Sequence, residues 1–78
     1  MNETLDRDRT CALIKKTCFD HGITVDFIVD KMNVSRQAVY SWFSSKKMPS
    51  IDHIIELADL LDVTVDELLV RKEYRSDG

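Results

Sequence analysis

The chain has 78 residues, of which 44% are hydrophobic, and a formal net charge of −3. A chain this short buries only roughly 60% of its unfolded surface in a single core, which excludes a second domain. No apolar run approaches the roughly 20 residues that span a bilayer, and the first residues lack the basic and apolar parts of a signal peptide. We therefore expect one cytoplasmic domain over residues 1–78, with its core at about residues 6–71 and frayed ends.

The first helix is predicted at about residues 6–21. Cys11, Ile14 and Cys18 lie on its inner side, and Gly22 is suited to end it. The two cysteines are seven positions apart, which is about 10.5 Å along a helix axis and exceeds the roughly 7 Å Cα separation that a disulfide allows. Both are expected to remain reduced thiols.

A second helix is predicted at about residues 24–32, with Thr24 as its N-cap. Asn33 follows, and asparagine is one of the few residues besides glycine that readily adopts the left-handed conformation of a sharp turn. Ser35 is then the N-cap of a third helix at about residues 36–44.

The segment 45–49 contains two lysines and a proline and is predicted to be a loop. Ser50 is the N-cap of a fourth helix that continues through Leu61. Thr64 and Glu67 have the Thr-x-x-Glu spacing of a capping box, which predicts a fifth helix. Five short helices without linkers predict an all-α fold.

The second and third helices, joined by a short turn, match a helix-turn-helix unit over residues 24–44. A recognition helix needs one face for base edges and another for the protein core. Val39 and Trp42 provide the inner face. The outer face carries four side chains: Arg36, Gln37, Tyr40 and Ser41.

Arg36 and Gln37 are the strongest candidates for base contacts. An arginine can pair with O6 and N7 of guanine and a glutamine with N6 and N7 of adenine, each pair giving about 1–3 kcal/mol of discrimination. The alternative, in which both residues are merely a solvated helix start, stays open.

Positive charge is concentrated around the same helix. Residues 31–51 carry four bases and no acid, a sum of +4, whereas residues 1–30 carry six acids and four bases (−2) and residues 52–78 eight acids and three bases (−5). A local basic segment is typical of a protein face that meets a polyanion, although loop lysines are also common without such a role. The predicted contacts to the DNA backbone are Thr24, Lys31, Ser35, Tyr40, Lys46, Lys47 and Ser50.

No catalytic residue, metal site or cofactor is predicted. Cys18 and His21 are three positions apart, but no third orienting residue or glycine-rich oxyanion segment accompanies them. Zinc would need ligands from Cys11, Cys18, His21 and His53, whose spacings match no known finger. We therefore expect a protein that is not an enzyme.

The chain shares several stretches with one known family: Gly22-Ile23-Thr24, the run from Ile28 to Arg36, Trp42, the run from Lys47 to Ile51, and the run from Leu57 to Leu69. Over about residues 13–70 it resembles the phage-repressor and Cro-like helix-turn-helix domains, the xenobiotic-response-element family of bacterial and phage regulators. The resemblance implies a five-helix, lambda-repressor-like domain whose third helix reads DNA. It implies base contacts by Arg36, Gln37 and Ser41, and it places Tyr40 near the DNA backbone.

The chain also departs from the family. Val25 stands where a glutamine usually touches the DNA backbone, so one phosphate contact is missing. Phe43 and Cys18 stand where a glutamate and an arginine often form an ion pair, and we expect an apolar contact instead. Three residues replace usual glycines: Asn33, Ser45 and Asp62. Because serine tolerates left-handed geometry least readily, we expect the loop after the third helix to differ.

The sequence thus predicts a sequence-specific DNA-binding transcriptional regulator that acts as a repressor. One such domain reads only a few base pairs, so a weak homodimer on a pseudo-palindromic operator is expected. Candidate dimer contacts are Leu69, Val70 and Tyr74. The alternative is a protein-interaction module, or the antitoxin of a toxin–antitoxin pair, which the acidic balance and Val25 favour slightly.

Overall fold

The computed structural model describes residues 5–72. Four α-helices and one short 3-10 helix follow each other along the chain: α1 (Arg7–Asp20), α2 (Val25–Met32), α3 (Arg36–Phe43), α4 (Ile51–Leu61) and the 3-10 helix (Asp66–Leu68). The predicted all-α fold is confirmed. Within the described residues, no helix is both long enough and apolar enough to cross a membrane.

A side-chain cap begins each α-helix. The side chains of Asp6, Thr24, Ser35 and Ser50 each accept a hydrogen bond of 3.0 to 3.2 Å from the backbone N–H three residues later. These bonds satisfy N–H groups that have no partner within the helix, and each is typically worth about 1 kcal/mol. The predicted caps of α2, α3 and α4 are confirmed, and Asp6 lies outside α1 as its cap.

Left-handed residues reverse the chain after the helices. Gly22 follows α1 with φ +68°, and Asn33 and Asp62 end α2 and α4 with φ 56° and 57°. Ser45, just after α3, has φ 65°, so the loop keeps a left-handed turn where a difference was expected. The serine holds that turn at a cost of about 1–2 kcal/mol relative to an ordinary right-handed conformation.

The predicted fifth helix is reduced to the three-residue 3-10 helix. Its capping box does form: the Thr64 N–H donates to Glu67 Oε2 at 3.1 Å, and the Glu67 N–H donates to Thr64 Oγ1 at 3.3 Å. Leu69 is nevertheless extended, with φ −104° and ψ 135°. The chain therefore leaves the helical conformation one turn after its start.

Hydrogen bonds to α1 explain this early end. The Val70 N–H donates to Thr10 Oγ1 at 3.0 Å, and the Val70 carbonyl accepts from the Asp6 N–H at 2.8 Å. Next to them, Leu5 and Arg71 form an isolated antiparallel bridge. These backbone groups have tertiary partners and are not available to a continuing helix.

The core is one cluster to which all the helices contribute. α3 packs against both α1 and α2. Trp42 is only 4% exposed, and its ring lies 5.1 Å from the ring of His53. Its place in the core, which the sequence predicted, is confirmed. The buried cluster consists of Ile14, Cys18, Ile28, Met32, Val39, Trp42, Ile54, Leu57, Ala58, Leu61 and Leu68.

Both cysteines are buried and form no disulfide, as predicted. Burial disfavours the charged thiolate, and it raises the pKa of Cys18 to about 11 from an ordinary value of 9.0. The pKa of Cys11 is also raised, mainly by burial. Both thiols are therefore poor nucleophiles in the folded state.

The raised pKa of Cys18 predicts that the free energy of unfolding falls between about pH 9 and pH 11. In this range the thiol ionises in the unfolded chain but stays protonated in the folded one, so rising pH favours unfolding. Below this range both states are protonated, and the contribution is constant. Denaturant unfolding across this pH range should give a shallower fall for Cys18→Ala than for the unmodified protein, and identical slopes would contradict the prediction.

Candidate nucleic-acid interface

α3 has the two faces that the sequence predicted. Val39 is fully buried and Trp42 nearly so, whereas Arg36, Gln37 and Tyr40 are exposed on the opposite side. The cap of Ser35 fixes where the helix starts, and the packing of Val39 and Trp42 fixes its rotation. Three of the four predicted outer side chains are consequently exposed, and the fourth, Ser41, is half-buried.

Four of the predicted DNA contacts lie together. Ser35, Gln37, Ser41 and Lys47 line one shallow depression of about 370 Å³, which also includes Ala38 and the edge of Trp42. Two of these side chains were predicted to contact bases and two to contact the backbone. Within residues 5–72, neither Gln37 nor Lys47 has a side-chain hydrogen bond or an ion pair, so their polar groups are available to a ligand.

Arg36 forms an ion pair that the sequence did not predict. Its Nη1 donates to Oδ1 of Asp26, which lies in the first turn of α2. Both side chains are more than half exposed, so the pair adds little to stability. Its consequence is geometric, because it holds the guanidinium beside the start of α2. Arginine has five N–H donors, and those not directed at Asp26 can still meet another acceptor.

The loop between α3 and α4 is fixed through its backbone. The N–H groups of Lys46 and Lys47 both donate to the Ser41 carbonyl, at 2.9 and 3.2 Å. The Lys46 carbonyl accepts from Arg7 Nη2 at 3.2 Å, and the Cys11 sulfur lies 3.9 Å from the Lys47 carbonyl oxygen. Both lysine side chains are exposed. A hydrogen-bonded backbone therefore presents two exposed positive charges next to α3.

The other predicted backbone contacts occupy different surroundings. Tyr40 and Lys46 line a second, largely apolar concavity beside α1. Thr24 and Ser50 are exposed at the starts of α2 and α4, where their hydroxyl oxygens act as caps.

Lys31 lies apart from these groups. Its Nζ is 5.6 Å from the centroid of the Phe27 ring, and it lines a third concavity together with Glu56 and Asp59. This concavity shares no residue with the other two. The structure therefore does not bring Lys31 together with the predicted base contacts.

The departures from the family pattern have structural counterparts. Val25 is half-buried against the core. Cys18 is buried in the core cluster, and Phe43 packs against that cluster, as the apolar replacement predicts. Phe43 also contacts Phe19: the two ring centroids are 6.3 Å apart and the rings meet edge to face. The exposure of Phe19 could not be predicted, because an aromatic residue at the end of an amphipathic helix is ordinarily part of the core.

Comparison with known proteins identifies the family. The Helix-turn-helix family model matches residues 20–68, which is more than half of the chain. No curated protein matches. The fold is similar to the DNA-binding domain of BldD, with 21% identity, a TM-score of 0.70 and coverage of 82% of this chain and 93% of that one. It is also similar to the S. venezulae BldD DNA-binding domain, with 21% identity, a TM-score of 0.69 and coverage of 82% and 96%. The chain belongs to the Cro-like helix-turn-helix family.

Proposed function

We propose that this domain binds double-stranded DNA sequence-specifically and acts as a transcriptional repressor, with α3 in the major groove. Its family supports DNA binding, and two solved structures of similar fold are described as DNA-binding domains. The observation that carries the proposal is the polar depression on α3, where Gln37 and Ser41 lie beside Lys47 and above buried Trp42.

The proposed contacts fall into two classes. Arg36, Gln37 and Ser41 read base edges, as arginine and glutamine do in the major groove. The remaining residues position the domain on the phosphates through hydroxyl groups, ammonium groups and the N–H groups at the helix starts. These backbone contacts are Thr24, Lys31, Ser35, Tyr40, Lys46, Lys47 and Ser50.

The negative net charge does not oppose this function, because the charge is unevenly distributed. The segment of residues 31–51, with its sum of +4, contains α3 and the lysine loop. Neutralisation of phosphates dominates affinity for DNA, so the few cations imply binding that is weak per domain and sensitive to salt. Two copies on a pseudo-palindromic site would increase both affinity and specificity.

The proposed homodimer rests on this need for two copies. Of the candidate dimer contacts, Leu69 is half-buried against the core, and Val70 forms hydrogen bonds with Thr10 and Asp6 of the same chain. Tyr74 lies outside the described residues. Sedimentation velocity with and without operator DNA tests the proposal, and a monomer under both conditions would contradict it.

Backbone amide NMR during titration with a generic duplex at low salt tests DNA binding without knowledge of the operator. We expect shifts concentrated at residues 24–31 and 35–51, which disappear when salt is raised. The end of α4, residues 57–61, contains no proposed DNA or dimer contact, so it serves as an internal control and should not shift. Shifts confined to other residues, or no shifts, would contradict the proposal.

A change at Asp26 should affect affinity and discrimination in opposite directions. We predict that Asp26→Asn binds generic DNA about fivefold more tightly, since it removes a negative charge worth about 1 kcal/mol near the phosphates. It should also reduce the ratio of the affinity for operator DNA to the affinity for random DNA, because Arg36 loses the partner that orients it.

Fluorescence anisotropy with both duplexes measures the two effects of Asp26→Asn. Asp30→Asn is the matched control: it makes the same charge change on the same helix, at an exposed residue that forms no ion pair within residues 5–72. An equal loss of discrimination in both variants would show that only the charge matters.

A second candidate function is binding to a protein partner, of which an antitoxin would be one example. One observation favours it, namely the exposed apolar surface around Phe19, which is 62% exposed. A bare apolar patch on a small domain often marks an interaction site.

A further inference from the structure

Two adjoining concavities of about 410 and 370 Å³ lie between α1 and α3 and share the residues Lys15, Phe19 and Phe43. We call them together the aromatic groove. The part next to α3 is completed by Val25, Tyr40, Ser44 and Lys46. Both concavities have a mainly apolar lining, so an apolar side chain of a ligand is more stable there than in water.

Phe19 forms the exposed wall of the aromatic groove. At 62%, it is the most exposed large hydrophobic residue of the described chain. Its edge-to-face contact with half-buried Phe43 holds the ring in position, with 6.3 Å between centroids. An aromatic ring that is both exposed and positioned is available to a ligand at little cost in side-chain entropy.

The rim of the groove is positively charged. Lys15 Nζ lies 5.7 Å from the centroid of the Phe19 ring, and Lys46 is exposed at the other end. Neither ammonium group forms an ion pair within residues 5–72. The one carboxylate at the groove, that of Asp20, is paired with Lys16 Nζ at 2.9 Å. The uncompensated charge is therefore that of Lys15 and Lys46.

The concavity around Phe27 provides a comparison within the same molecule. It too has an aromatic ring with an ammonium group above it, that of Lys31 at 5.6 Å, and a volume of about 490 Å³. It differs in having two carboxylates, Glu56 and Asp59, in its lining. The two concavities thus offer similar apolar surfaces, but only the aromatic groove offers an excess of positive charge.

We propose that the aromatic groove binds an acidic amphipathic helix of another protein. A bulky apolar side chain of the helix packs against Phe19 and Phe43, and its carboxylates face Lys15 and Lys46. Charge complementarity selects an acidic partner, and the lining of the groove along α1 from Ala12 to Asp20, about two helical turns, suits a helix. Tyr40 and Lys46 also belong to the proposed DNA interface, so the bound helix excludes DNA; this consequence alone rests on the proposed function.

Selection from a displayed library of short random peptides tests the proposal without DNA. The unmodified domain is the bait, and Phe19→Ser is used for counter-selection. We expect enriched peptides with a negative net charge and an aromatic or leucine anchor. No enrichment over the Phe19→Ser variant, or enriched peptides without an excess of acidic residues, would overturn the proposal.

Affinity measurements with an enriched peptide locate the site. Phe19→Ser should weaken binding by about tenfold or more, as expected when a central interface contact is lost. Lys15→Glu should also weaken it by about tenfold, because it replaces an attractive charge at the rim with a repulsive one. Phe27→Ser is the matched control and should bind normally; an equal loss there would overturn the proposal. Phe19 and Lys15 are exposed, and circular dichroism checks that the variants stay folded.

Two further measurements separate this proposal from its rivals. If Phe19→Ser abolishes self-association seen by sedimentation, the groove binds a second copy and the proposal fails. If peptide binds but generic DNA does not, the groove assignment stands and the DNA-binding function fails. If both bind, they should compete, and simultaneous binding would show that the groove lies outside the DNA interface.

Discussion

Replacing Arg36 by alanine should weaken binding to random DNA by about fivefold, because one positive charge near the phosphates is lost. Binding to the operator should weaken by about 1–3 kcal/mol more, which is roughly 5- to 150-fold. The guanidinium pairs with one guanine, and only the cognate sequence offers that base in register. The fold should be unaffected, because the Arg36 side chain is 57% exposed and its only partner in the described chain is Asp26. The operator is first obtained by selection from randomised duplexes, and anisotropy then measures both affinities.

Two further variants sharpen the Arg36 prediction. Arg36→Lys keeps the charge but loses the two-pronged contact, so it should lose discrimination and retain generic affinity. Lys47→Ala, by contrast, should keep discrimination and lose generic affinity, because it weakens binding to both duplexes alike. It should also reduce the slope of log K against log salt by about 0.9. Equal losses on operator and random DNA for Arg36→Ala would instead assign Arg36 to the phosphates.

Replacing Trp42 by alanine should lower the free energy of unfolding by about 3–5 kcal/mol. Trp42 is 4% exposed and belongs to the cluster that joins all the helices, so its removal leaves a large cavity. Small domains have a total stability of only about 5–15 kcal/mol, so this loss is a large fraction of it, and the variant should unfold at a much lower denaturant concentration. Because Trp42 is the only tryptophan, circular dichroism rather than fluorescence must follow the unfolding.

Tyr40→Ala is the matched control for Trp42→Ala, since it removes an aromatic ring from the same helix. Tyr40 is 53% exposed, and its loss should change stability by about 0.5 kcal/mol or less. A Trp42→Ala variant as stable as the unmodified protein would show that α3 does not depend on this side chain for its position. A costly Tyr40→Ala would show that the outer face of α3 is also part of the packing.

The helices α1 to α4 could be predicted closely because local signals determine their ends. Ser35 and Ser50 bond to N–H groups only three residues away, and the left-handed turns follow from single residues such as Gly22 and Asn33. The 3-10 helix shows the opposite case. Its capping box is local and was predicted, but its length is decided by the hydrogen bonds between Val70 and Thr10, 60 positions apart. No local pattern contains that information.

The candidate interface likewise has one part that local sequence patterns predict and another that depends on tertiary structure. The faces of α3 follow from its periodicity, and the structure groups Gln37 and Ser41 with Lys47 as that pattern suggests. The pair between Arg36 and Asp26 depends on the angle between α2 and α3, which no spacing reveals. An acidic residue in the first turn of a helix is already explained by the helix dipole, so the position of Asp26 does not indicate an ion pair with Arg36.

The bridge between Leu5 and Arg71 brings the two ends of the described chain side by side. The chain therefore enters and leaves the described domain at the same place on its surface. That point lies near the loop after α3, because Arg7 donates to the Lys46 carbonyl at 3.2 Å. A domain joined directly to the described residues, at Leu5 or Arg71, would begin near the lysines proposed to hold the phosphates, and its bulk would limit how closely DNA can approach.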